Sequence, residues 1–259
     1  MRDSSARRLT TAAVAAAAGL AVLAPTAAQA LDSTAARPTA ISRSIASAAP
    51  VGSVASAAAK QPAKLTVASY ITYLKQQKTP EARKTLAAFR SLSKTRQAKF
   101  VGYLQNRKVY WQLVDHSWGK IGQSVHHVET AFNKDVKIVS DATSKRAKDK
   151  NRTVTLTHTV TEYIYGIPVT SEQVHLSYRA PADRITAVVS AKAKVTNVNA
   201  AITIKGDTRS AIGAEGSSAS AATFWIATPN VKSFGKAERS EHRVSGRPEG
   251  TWEAQLHSY

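Results

Sequence analysis

Apolar positions recur along this chain with two different periods, and the change from one to the other falls near Trp118-Gly119. Upstream of that point the period is helical. Val67, Tyr70, Ile71 and Leu74 share one helix face, with Thr66 as a candidate cap. Thr79-Pro80-Glu81 supplies a cap, a first-turn proline and a first-turn acid, and Leu86, Phe89 and Leu92 carry a second helix along one side. Phe100, Val101 and Leu104 stripe a third helix that begins near Thr95, and Val109, Tyr110, Leu113 and Val114 a fourth that begins near Asn106.

Downstream the pattern alternates. Val154, Leu156, His158, Val160 and Ile164 take one side of a strand, with Thr153, Thr155, Thr157, Thr159 and Thr161 on the other. Tyr165-Gly166-Ile167-Pro168 marks a turn, after which Val174, Leu176 and Tyr178 alternate back as the second arm of a hairpin. Alternation resumes from Arg184 to Val195, and residues 201–204, 222–227, 231–244 and 251–258 read as further strands. The fold class expected is therefore α+β: short N-terminal helices followed by an antiparallel β-sandwich or open barrel of about seven strands.

The start of the chain follows neither period. Arg2, Arg7 and Arg8 precede an uncharged apolar run from Ala12 to Ala24, and Ala28-Gln29-Ala30 places small residues at the two positions a signal peptidase reads. The run is shorter than the roughly 20 residues a spanning helix needs. Residues 1–30 thus read as a secretory signal peptide, with Ala28 and Ala30 at the cleavage site and a mature chain starting at Leu31. Residues 31–61 are rich in Ala and Ser, interrupted by Pro38 and Pro50, and bury too little to order themselves. The domain plan expected is a signal peptide at 1–30, a disordered linker at 31–61, a basic helical region at 62–118 and the sandwich at 119–259. No second apolar run reaches transmembrane length, so the expectation is a secreted, extracellular protein.

Charge divides the chain in the same way. The whole sequence carries +19. From Lys60 to Lys108 twelve Lys or Arg face the single acid Glu81, whereas from Arg152 to Tyr259 twelve basic residues meet nine acids. An uncompensated basic region on an exported protein points to anionic wall or envelope polymers as partners. Lys84, Arg90, Lys94, Arg96, Lys99, Arg107 and Lys108 are the candidate contact residues. Nucleic acid is the weaker reading, because most aromatic rings among these bases lie on the apolar stripes and only Tyr73 and Trp111 fall outside them.

Chemistry is harder to find. The chain has no cysteine, which excludes disulfides, thiol nucleophiles and cysteine-ligated metals. Ser91-Leu92-Ser93-Lys94 has the spacing of a Ser-x-x-Lys nucleophile, but neither Ser-Asp-Asn nor Lys-Thr-Gly accompanies it. Acids are too scattered to nominate a catalytic carboxylate pair. The most specific constellation is His158 with His175: a hairpin symmetric about Gly166-Ile167 sets them directly opposite each other, where two imidazoles could share a metal or respond to pH. His126-His127 point to opposite faces of any strand that holds them. The reading favoured is a non-enzymatic binding or structural module without a cofactor; the alternative is a hydrolase or metal-dependent enzyme with a site near His158 and His175.

The segment THTVTEYIYGIPVTSEQVHLSYRAPADRITAVVSAKAKVTNVNAAI (157–202) resembles the C-terminal part of a group of uncharacterised secreted proteins of actinomycetes, in which a Gly-Ile turn, an alternating strand ending in Tyr and a following Arg-Ile-Thr strand recur. The helical stretch FRSLSKTRQAKFVGYL (89–104) is similar to the region upstream in that group. The resemblance implies a fold and a location, and no activity. Relatives in the group carry cysteines in the sandwich, and this chain has none.

Overall fold

The computed structural model describes residues 61–259. The signal peptide with Ala28 and Ala30, and the linker as far as residue 60, lie outside the described residues.

Four helices come first: α1 (Val67–Gln76), α2 (Pro80–Ser91), α3 (Lys94–Leu104) and the single turn α4 (Arg107–Tyr110). Each begins on a side chain that satisfies otherwise unpaired N–H groups. Thr66 and Ser69 form a reciprocal capping box, Thr79 Oγ1 accepts from the Ala82 N–H ahead of Pro80, Ser93 caps α3 and Asn106 caps α4. The apolar stripes converge on a cluster in which the Phe89 ring stands edge-on to Tyr70 and Phe100, with centroids 5.1 and 5.2 Å away.

Ten strands follow among the described residues: β1 (Asp115–Lys120), β2 (Ser124–Asn133), β3 (Val136–Arg146), β4 (Thr153–Ile164), β5 (Ile167–Arg179), β6 (Ala187–Asn197), β7 (Ile202–Ile212), β8 (Ala219–Pro229), β9 (Glu238–Gly246) and β10 (Thr251–Ser258). They build two five-stranded antiparallel sheets, ordered β2-β3-β4-β5-β6 and β1-β10-β9-β8-β7. The first sheet is an unbroken meander. The chain then crosses into the second sheet, where β1, the first strand in sequence, pairs with β10, the last. The α+β sandwich class stands as expected, with more strands than the alternation suggested. β1 also starts at Asp115, inside the segment assigned to helix. The extra strands are β1 to β3: β1 turns Ser117 and Gly119 inward, and on β3 Ser140 and Ser144 interrupt the inward row of Val136, Ile138 and Ala142.

The interior has two apolar halves. One, beneath the helices, includes Phe100, Val109, Val160, Ile164, Ile202, Trp225 and Leu256. The other, at the far end, includes Leu156, Val174, Tyr178, Ala221, Val244 and Trp252. Between them lies a polar belt of fully buried Ser140, His158, Thr223 and His242. The helices are tied to the sheets by hydrogen bonds as well as packing: the Tyr103 and Tyr165 hydroxyls both donate to Asp135 Oδ2 at 2.9 Å, and Asn199 Nδ2 donates to the Leu104 carbonyl at 2.9 Å.

Candidate functional site

The helical region presents its bases outward. Burial of Ala82, Thr85 and Phe89 on one side of α2 leaves Arg83, Lys84 and Arg90 exposed on the other, and burial of Gln97, Phe100 and Val101 does the same for Lys94, Arg96 and Lys99 on α3. Lys108 is exposed on α4. Among the described residues none of Lys84, Arg90, Lys94, Arg96, Lys99 and Lys108 forms an ion pair within 4 Å. Arg96 lies over the Tyr165 ring at 5.5 Å, and burial of the Asp135 carboxyl is outweighed by hydrogen bonds from Tyr103 and Tyr165 and by the charge of Lys99, which hold it low.

Arg107 departs from this set. Its guanidinium pairs with the buried carboxylate of Glu238 and lies 5.6 Å from the centre of the Trp111 ring. The charge of Arg107 compensates a buried acid, which sets it apart from the six exposed bases that pair with none. The Ser91-x-x-Lys94 spacing also dissolves into helix ends: Ser91 Oγ donates to the Ala88 carbonyl at 2.7 Å, and Lys94 opens the next helix.

His158 and His175 do not form a pair. The hairpin turns on Tyr165 and Gly166, with φ of 52° and 76°, the two positive values a tight type I′ connection requires. The pairing then shifts between Glu162 and Tyr163, so that Thr157 faces His175 and His158 faces Val174. One residue of slip sends the two imidazoles to opposite faces of the sheet. His175 lies on the outer face against Thr157 and Lys192, whose charge adds to burial in lowering its pKa. His126 and His127 occupy opposite faces, as the sequence indicates, with His126 on the exposed Asp141 at 2.6 Å. No group of three or more His, Cys, Asp or Glu is placed to hold a metal ion among the described residues.

His158 instead belongs to the belt between the sheets. Its Nε2 is 3.0 Å from Asp115 Oδ2 and 2.9 Å from Ser140 Oγ, and its Nδ1 is 2.8 Å from His242 Nε2. Burial pushes the Asp115 carboxyl up, but hydrogen bonds from His158, Ser117 and Ser140 outweigh it and hold the group at about 2. Burial and the neighbouring His158 hold His242 well below the usual imidazole range, so it is neutral. The ionised Asp115 therefore accepts from the Nε2–H of His158, and one proton lies between His158 Nδ1 and His242 Nε2. This is not a Ser–His–Asp relay, which needs serine and carboxylate on opposite ring nitrogens. Here both meet the same one, inside a closed interior.

Three further acids lie beneath the helices. Glu162 and Glu172 take inward positions on β4 and β5, where burial pushes their carboxyls up to about 7 and about 8. The Tyr110 hydroxyl donates to Glu172 Oε1 at 2.9 Å, and Glu238 meets Arg107. Sequence parity carried the signal for the first two, since Glu162 shares the inward register of Val160 and Ile164, and Glu172 that of Val174 and Leu176. Nothing local connects Asp115 with His242, which only the fold brings to the same histidine.

Comparison with protein-family models, with curated proteins and with solved structures gives no match. No described helix is long and apolar enough to cross a membrane.

Proposed function

We propose that this protein is a non-enzymatic binding module that acts outside the cell and associates electrostatically with anionic envelope polymers. The observation that carries the reading is the outer surface of α2 and α3, where Lys84, Arg90, Lys94, Arg96 and Lys99 are exposed and the one acid on these two helices is Glu81. Such a surface attracts a flexible polyanion through summed potential and needs no shaped pocket. Helices rooted in a sandwich hold these charges at fixed spacing, so little side-chain ordering beyond the contacts themselves is required. Export, suggested by the charged start, apolar run and small residues of the first 30 positions, would place this face beside the envelope.

Full-length protein mixed with isolated cell walls should bind at low ionic strength and release as salt rises, because screening shortens the reach of each charge to about 8 Å at physiological strength. The K84Q/R90Q/K94Q variant should elute at distinctly lower salt, with a melting temperature no lower than that of the wild type. Absence of binding at low salt, or an unchanged elution profile for the variant, rules the reading out.

A further inference from the structure

The outer face of the second sheet contains an open groove of about 950 Å³, floored by β1, β10, β9 and β8. We propose that this groove binds a linear acidic glycan, with Trp118 as the stacking platform and Arg247 and Lys120 as the groups that receive its carboxylates.

Alternation along β1 turns Ser117 and Gly119 inward and His116, Trp118 and Lys120 outward. The glycine is required: a Cβ at residue 119 would lie 2.7 Å from the Trp252 indole, which packs under β1 and donates from Nε1 to the Lys120 carbonyl at 3.0 Å. β1 is thereby pinned, and Trp118 is presented on it at 68% exposure, the highest of any large hydrophobic side chain described. In register with it run Glu253, Ser245 and Ser220; the adjacent row is His116, Gln255 and Arg243. Strands spaced about 4.8 Å apart make the floor from β1 to β8 about 14 Å wide, enough for more than one sugar ring.

The chemistry of the lining selects the occupant. One face of a pyranose ring is a patch of C–H groups that packs on an indole, while the ring hydroxyls need short polar partners such as Ser, Gln and Glu. Apart from the two tryptophans no side chain lining the groove is a large apolar one, so it lacks the desolvated centre that a protein partner would need. Charge adds the last constraint. Glu253 is held by His116 at 2.7 Å, which leaves Lys120 and Arg247 as the lining bases with no acid within 4 Å among the described residues. Arg243 is paired with Glu241, which accepts from its Nε at 2.8 Å, so the free guanidinium fork that matches a carboxylate is that of Arg247.

No described helical residue lines this groove, so it stands apart from the polyanion-binding face and can fail or hold independently. The test is calorimetric titration of the full chain with a short oligogalacturonate and with its methyl-esterified form, which keeps the rings and removes the charges. The acidic oligomer should bind saturably and the ester at least several-fold more weakly. W118A should weaken the acidic oligomer at least tenfold. Titrated at a salt concentration that releases the protein from cell walls, R247Q, at an exposed position, should weaken the acid several-fold and leave the ester unchanged, and K84Q/R90Q/K94Q should change neither. No saturable binding of the acidic oligomer, equal binding of acid and ester, wild-type affinity in W118A, or loss of binding in the helical variant would each overturn the proposal.

Discussion

Glu162 and Glu172 face inward because they share the register of Val160 and Val174, and each keeps its proton to higher pH in the folded chain than the usual carboxyl value of 4.5. Their contribution to stability is therefore complete below about pH 4.5 and is lost as pH rises toward 7 and 8. His242 acts in the opposite sense. Its folded pKa lies well below 6.5, so its contribution is present above that value and lost as pH falls through the lowered one. The two effects oppose each other in mildly acidic solution, and only the glutamates remain above about pH 6.5. Thermal melts should show stability falling between about pH 6.5 and 8, by about 3 kcal/mol, since about two units of the two carboxyl shifts lie in that window and each unit corresponds to about 1.4 kcal/mol. The E162Q/E172Q variant should lose that decline. A parallel decline in the variant would mean that other groups cause it. The alternation from Val154 to Ile164 already marked residue 162 as inward; what it could not mark was that no basic residue would come to meet Glu162 or Glu172.

At the scale of elements, legibility followed the strength of the period. The helices were readable because stripe, cap and first-turn proline agree, and Thr66, Thr79 and Asn106 all serve as caps. β4 and β5 were readable as a hairpin but not in register, since a bulge near a turn leaves no trace in alternation. β1 was hidden for a different reason: its inward side consists of Asp115, Ser117 and Gly119, which suit contact with His158 and Trp252 and give no apolar signal. The helical layer depends on the aromatic cluster more than on its own propensity, because helices of this length are marginal alone. Phe89→Ala should accordingly cost about 3–5 kcal/mol. The loss should appear in the melting temperature and as faster amide exchange in α1 to α3 than in β4 and β5. Uniform exchange throughout would show that helices and sandwich unfold as one unit.

For the molecule as a whole, the inside and the outside are arranged by different electrostatic rules. Buried acids are kept neutral or given partners: Glu162 and Glu172 hold protons, Asp115 has His158, and Glu238 has Arg107. The outer helical surface does the reverse and gathers like charges without compensation, which costs stability through self-repulsion. That cost predicts a divergence with salt. In the absence of any polymer, rising sodium chloride should raise the melting temperature by a few degrees, because screening relieves repulsion among the bases of α2 and α3. The same salt should weaken association with an anionic polymer. K84Q/R90Q/K94Q should flatten both responses together, since both come from the same side chains. A salt-stabilised melt that persists in the variant, beside a binding curve that flattens, would place the repulsion elsewhere on the protein and separate the charges that bind from those that strain the fold.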